Sequence, residues 1–152
     1  MTNYMKLEIS AVGENESFAR SVVAGFSLPL NPTLTELSDI KTAVSEAVTN
    51  SVVHGYKKQG EDKLVTIECR ILQNADSGLG ELHIVVTDFG CGIEDVERAK
   101  TPFFTTLVDE ERSGMGFTIM QAFMHECKVE SEVGKGTRVY MVKRIGETEK
   151  LG

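Results

Sequence analysis

The pattern that most restricts this chain runs from Val65 to Val86. Val65, Ile67, Cys69 and Ile71 alternate with Thr66, Glu68 and Arg70, so an extended segment here has one apolar side, the mark of a strand with a single buried face. The turn-rich NADSGLG follows, and then the apolar run Leu82 to Val86. The two runs are expected to pair antiparallel. A sheet that is apolar on one side needs helices to cover it.

The flanking sequence supplies those helices. Met5, Leu7 and Ile9 alternate with Lys6 and Glu8 and read as a first strand. Phe18, Ala19, Val22, Val23 and Phe26 then recur at helical spacing behind Asn15, a candidate cap, with Gly25 near the end. Glu16 and Arg20 are expected on the exposed side of this helix as an i,i+4 pair. Pro29 and Pro32 interrupt the chain before a second helix, whose start is signalled by Thr33 and Glu36, the spacing of a capping box. Leu37, Ile40, Val44, Ala47, Val48 and Ser51 form its inward stripe, and Gly55 marks its end. After Phe89 the periodicity lapses as far as Gly116, a length of irregular chain that is usually functional inside a small domain. Phe117, Ile119, Met120, Phe123 and Met124 restore it, and Lys128 to Glu132, VGKG and Thr137 to Val142 read as a closing hairpin. Helices mixed with meandering strands predict an α+β fold, and residues 1–152 are expected to form a single domain.

Charge and composition narrow the function. The net charge of -7 repels nucleic acid and anionic membrane surfaces, so neither is an expected partner. The three cysteines, Cys69, Cys91 and Cys127, show no CxxC spacing and are expected as reduced thiols rather than disulfides or zinc ligands. The N-terminal MTNYMKLEIS lacks the character of a secretion signal, and no apolar run is long enough to span a bilayer, so a cytoplasmic location is expected.

Within SEAVTNSVVHGY, Glu46, Asn50 and His54 recur every four residues. They fall within about 80° of one another on a helical wheel and make one polar edge. Alone, such an edge is most often a solvated helix face. DFGCGI, Asp88 to Ile93, ends an apolar strand with a carboxylate that can accept from an exocyclic amine, followed by glycines that allow close backbone approach. A tight turn would use the same letters. SGMGF, Ser113 to Phe117, precedes a helix, where glycine lets backbone N–H groups face an anion such as a phosphate. VGKGT is no Walker loop, since Gly136 stands where Ser or Thr must follow the Lys. It reads as a hairpin turn that leaves Thr137 as a hydroxyl inside the site. The DFG letters are unaccompanied by the GxGxxG, VAIK and HRD segments of eukaryotic protein kinases.

The order of these motifs resembles the GHKL superfamily of ATP-binding domains, which includes gyrase, histidine kinases and MutL. The match falls on Glu46 and Asn50, on Asp88, Gly90 and Gly92, on Gly114 and Gly116, and on Thr137. Within that superfamily SEAVTNSVVHGY and the N-terminal strand and helix resemble the bacterial anti-sigma serine kinases. The resemblance implies a two-layer α/β sandwich with a mixed, mostly antiparallel sheet and helices on one face. It implies that Asp88 recognises adenine, that Gly90, Gly92 and Ile93 shape the base pocket, and that Thr137 joins it. Ser113, Gly114, Met115, Gly116 and Phe117 would contact ATP or ADP phosphates, Arg112 and His54 would approach them, and Thr101 to Ser113 would be a lid. Asn50 would coordinate Mg²⁺, and Glu46 would be the general base toward a serine hydroxyl. The implied partners are a sigma factor of RNA polymerase, a small anti-anti-sigma protein phosphorylated on serine, and a second copy in a homodimer, with Glu16 and Arg20 on a partner surface. The alternatives are a GHKL ATPase, or a sigma-binding module without protein kinase activity.

Overall fold

The central alternation forms two strands of a five-stranded sheet. The computed structural model describes residues 2–56, 60–74, 76–93, 96 and 116–146. Five strands, β1 (Thr2–Ala11), β2 (Gly60–Gln73), β3 (Gly80–Asp88), β4 (Glu126–Glu132) and β5 (Gly136–Ile145), lie in the order β1-β2-β3-β5-β4. Every pairing among the described residues is antiparallel. β3 and β4 run in the same direction with β5 between them, so the chain leaving β3 crosses over a helix before it rejoins the sheet.

The helices are α1 (Asn15–Ser27), α2 (Leu34–Thr49) and α3 (Gly116–Phe123). Ile67, Cys69, Ile71, Leu82 and Ile84 on the sheet share one buried core with Val23, Ile40, Val44, Val48 and Met120 on the helices. Glu68, His83 and Tyr140, on the alternate positions, remain half-buried on the other face. Each fully buried aliphatic side chain contributes about 1.5–3 kcal/mol, and the alternation on β2 and β3 is what delivers six of them, Val65, Ile67, Ile71, Leu82, Ile84 and Val86, to one side.

The capping box of α2 is present. Thr33 Oγ1 accepts from the Glu36 N–H at 3.0 Å, and Glu36 Oε1 accepts from the Thr33 N–H at 2.8 Å. Three expectations are corrected. Asn15 does not cap α1: the capping position is Glu14, with no side-chain bond, and Asn15 Nδ2 donates instead to Ser10 O at 2.9 Å. Phe18, expected on the inward stripe, is 52% exposed, because α1 buries Ala19, Val23, Ala24 and Ser27. The second helix does not run regularly to Gly55. From Asn50 to Gly55 it widens into a π-helical turn, closed by the Tyr56 N–H donating to Ser51 O at 3.0 Å. Such turns are rare and cluster at functional sites. No helix among the described residues is long and apolar enough to cross a membrane.

Candidate functional site

Asp88 ends β3 with its side chain directed inward, 2% exposed. Its Oδ1 accepts from the Gly90 N–H at 3.0 Å, while Oδ2 is buried with no hydrogen-bond partner. A buried carboxylate oxygen without a donor is costly. Burial accordingly pushes the Asp88 pKa up, opposed by the Gly90 amide, the Ser51 hydroxyl and the Thr137 amide nearby.

Glycines let the backbone close around that carboxyl. A Cβ on Gly55 would lie 2.8 Å from the Asp88 carboxyl atoms, and one on Gly90 would fall on the Gly55 carbonyl. Gly92, at φ +77°, is pressed against the Glu132 carbonyl. The loop is sewn on both sides: the Cys91 N–H donates to Gly55 O at 2.8 Å, and the Gly134 N–H donates to Cys91 O at 2.8 Å. A side chain at Gly90 would therefore push the loop off the π turn.

Beneath the loop, Tyr56 Oη accepts from the Phe89 N–H at 2.8 Å and donates to Leu64 O at 2.7 Å. On the other side Ser131 Oγ accepts from the Ile93 N–H at 2.7 Å and lies 2.8 Å from Thr137 Oγ1. Thr137 faces Asp88 directly in the β3–β5 register and Ser131 in the β4–β5 register.

A second cluster lies at the end of α2. Glu46 and Asn50 are half-buried, four residues apart, with Asn50 opening the π turn. A Cβ on Gly116, the first residue of α3, would stand only 3.3 Å from Glu46 Oε2. The Glu46 carboxylate thus lies against the N-terminus of α3, where unpaired backbone N–H groups and the helix dipole favour negative charge.

The structure gathers Asp88, Gly90, Gly92, Ile93 and Thr137 into one cluster, and Glu46 and Gly116 into another. His54 meets the loop through its backbone carbonyl, which accepts from Cys91 Sγ at 3.2 Å. The Phe117 side chain is buried in the core, so only its backbone is left to meet an anion. Arg112, Ser113, Gly114 and Met115, with the expected lid Thr101 to Ser113, lie outside the described residues. Glu16 and Arg20 form their ion pair at 3.5 Å on α1, half-buried rather than fully exposed. Sequence reasoning missed Ser51, Tyr56, Cys91 and Ser131 as partners of the loop that follows Asp88. Ser131 was recoverable, because the predicted hairpin puts it opposite Thr137.

A family model of the histidine kinase-like ATPase domain matches residues 10–143. The anti-sigma F factor of Thermoanaerobacter sp. (strain X514) is 52% identical over 145 residues, covering 95% of this chain and 96% of that one. The chain belongs to this family.

A second anti-sigma F factor, from Geobacillus kaustophilus (strain HTA426), is 51% identical over 151 residues, covering 99% of each chain. The crystal structure of the RsbU and RsbW domains of a Mycobacterium tuberculosis protein shares the fold at a TM-score of 0.64 and 16% identity, covering 94% of this chain and 32% of that one. For this anti-sigma F family chain, membership of an ATPase family implies that ATP or ADP binds. Asp88 fits that ligand: its orphaned Oδ2 offers an acceptor where a base amine can donate.

Proposed function

We propose that this protein sequesters a sporulation sigma factor of RNA polymerase and, with ATP, phosphorylates a serine of the anti-anti-sigma protein that would otherwise release that sigma factor. The sigma-factor half rests on kinship with anti-sigma F factors at about half identity over nearly the whole chain. The kinase half rests on one observation, the Glu46 carboxylate held against the N-terminus of α3.

In this reading Asp88 Oδ2 accepts from the adenine amine, and Gly90, Gly92, Ile93 and Thr137 shape the base pocket. The backbone N–H groups at Gly116 and Phe117 face the phosphates, where a helix N-terminus binds anions without a counter-ion side chain. Glu46 takes the proton of the serine hydroxyl as its oxygen attacks the γ-phosphorus, and the bond to the bridging oxygen of ADP breaks. Asn50 would hold Mg²⁺ through its amide oxygen, a hard neutral ligand, and the ion supplies charge neutralisation on the triphosphate when bound. Arg112, Ser113, Gly114, Met115 and His54 complete the phosphate side. Glu16 and Arg20 on α1 belong to a partner surface, and the protein acts as a cytoplasmic homodimer.

The test is transfer of label from γ-labelled ATP and Mg²⁺ to a purified anti-anti-sigma protein. Acid-stable label on serine is expected. Glu46→Gln keeps the shape but not the basicity, and should slow transfer by about 10²- to 10⁴-fold while nucleotide binding persists. Free phosphate without labelled protein would make the chain an ATPase, and sigma binding without any phosphate chemistry would make it a purely sequestering module. Unchanged transfer in Glu46→Gln would remove Glu46 as the base.

A further inference from the structure

Lys143 on β5 turns inward, and its side chain is only 9% exposed. Its Nζ donates to Asp39 Oδ2 of α2 at 2.9 Å and to the Phe123 carbonyl of α3 at 2.7 Å. A buried ammonium is tolerated only where acceptors surround it, and here the two acceptors come from two different helices. Phe123 is the last residue of α3, so the cation also sits where an unpaired carbonyl and the negative end of the dipole favour it.

The spacing gives this contact its meaning. Asp39 lies seven residues before Glu46 on α2, and Phe123 lies seven residues after Gly116 on α3. At 1.5 Å per residue each interval spans about 10.5 Å. The two helices pack against each other and, with Asp39 near Phe123 and Glu46 near Gly116, they run antiparallel with matched contacts at both ends. One end is the Asp39–Lys143–Phe123 clamp. The other is the carboxylate at the N-terminus of α3. The strand that carries Lys143 also carries Thr137, which pairs with Asp88, so the Asp88 cluster and the α2–α3 clamp are both referenced to β5.

The geometry points to Lys143 as a positioning residue that fixes the register of α3 on α2, and thereby the placement of the Gly116 and Phe117 amides relative to the Glu46 carboxylate. This rests on the reading of Glu46 and the α3 N-terminus as the phosphate side of the site. Lys143 touches neither base nor phosphate. Its effect falls on the alignment of reacting groups, to which phosphoryl transfer is far more sensitive than binding, since a misplacement of about 1 Å can cost about 10²-fold in rate.

The experiment compares wild type, Lys143→Met, Lys143→Arg and the double variant Asp39→Asn/Lys143→Met in single-turnover phosphate transfer, with free phosphate release and nucleotide Kd measured in parallel. Lys143→Met keeps the chain length without the charge. The double variant removes both charges, so that a folded protein remains available if an unpaired Asp39 unfolds the single one. The expected result is a rate lowered by about ten- to a hundredfold in Lys143→Met and in the double variant, with Kd within about threefold of wild type. Lys143→Arg, which restores donors to both acceptors, should recover most of the rate. A rate kept within about twofold in the folded variants, or rate and affinity falling together, would overturn the inference. If the wild type releases phosphate but labels no protein, the kinase reading fails while the same comparison of phosphate release still decides the role of Lys143. A wild type with neither activity would overturn both.

Discussion

Replacing Asp88 by Asn should weaken nucleotide binding and at the same time stabilise the empty protein at neutral pH. Asp88 Oδ1 is engaged by the Gly90 N–H at 3.0 Å, and Oδ2 is buried without a partner. An asparagine must put its amide nitrogen at one of those two places. Turned toward the pocket, the nitrogen presents a donor to the donor amine of adenine. Turned inward, it confronts the Gly90 N–H. Either way a hydrogen bond to a charged acceptor is lost, about 1.5–3 kcal/mol, or about ten- to hundredfold in Kd. Isothermal titration with ATP and ADP measures it, and GTP should lose less, because guanine carries a carbonyl where adenine carries its amine.

The stability effect has the opposite sign. Burial raises the Asp88 pKa in the folded state, so the folded protein binds this proton more tightly than the unfolded chain. The group's favourable contribution is therefore complete below the ordinary carboxylate value and is lost as pH rises through the raised one. Asn carries no such loss. The empty variant should melt above wild type at pH 7, and the gap should close as the pH falls toward about 4. An unchanged ATP Kd in a folded Asp88→Asn protein would refute the assignment of this carboxyl to the base.

Two further substitutions test the scaffold around the site. Gly90→Ala would drive a methyl group into the Gly55 carbonyl, so it should displace the loop, break the Cys91 N–H bond to Gly55 O and weaken nucleotide binding at least tenfold in the same titration. Thr33→Ala removes one half of the capping box on α2 and should cost about 1 kcal/mol, a drop of about 2–4 °C in Tm by calorimetry, with nucleotide affinity retained.

Much of the fold was legible because its signals are local. The alternation of Val65 to Ile71, the hairpin around Gly134 and the capping box at Thr33 depend on side-chain period and on residues three apart, and each forms as expected. Phe18 and Asn15 were misread for the converse reason. Helical spacing does not say which of two adjoining faces the sheet will cover, and the helix starts one residue earlier than the cap reading places it, so Asn15 lies inside α1 with its Nδ2 donating to Ser10 O near the end of β1. The pocket partners Tyr56 and Ser131 reach it from distant segments, such as Tyr56 Oη to the Phe89 amide, and no short-range pattern announces them.

The sequence alone determined that an acid and an amide lie one turn apart on a helix, that a carboxylate ends a buried strand before two glycines, and that a glycine opens a later helix. Those facts follow from composition and period. Only the tertiary structure decided that Asp88 would be desolvated with one oxygen unpaired, and that the π turn would bring Gly55 against it. It also decided that Lys143 would join α2 and α3 at the end opposite Glu46. Burial and long-range pairing are properties of the packed chain, because they depend on which atoms displace water, and the order of residues does not contain that until the sheet and helices have closed on each other.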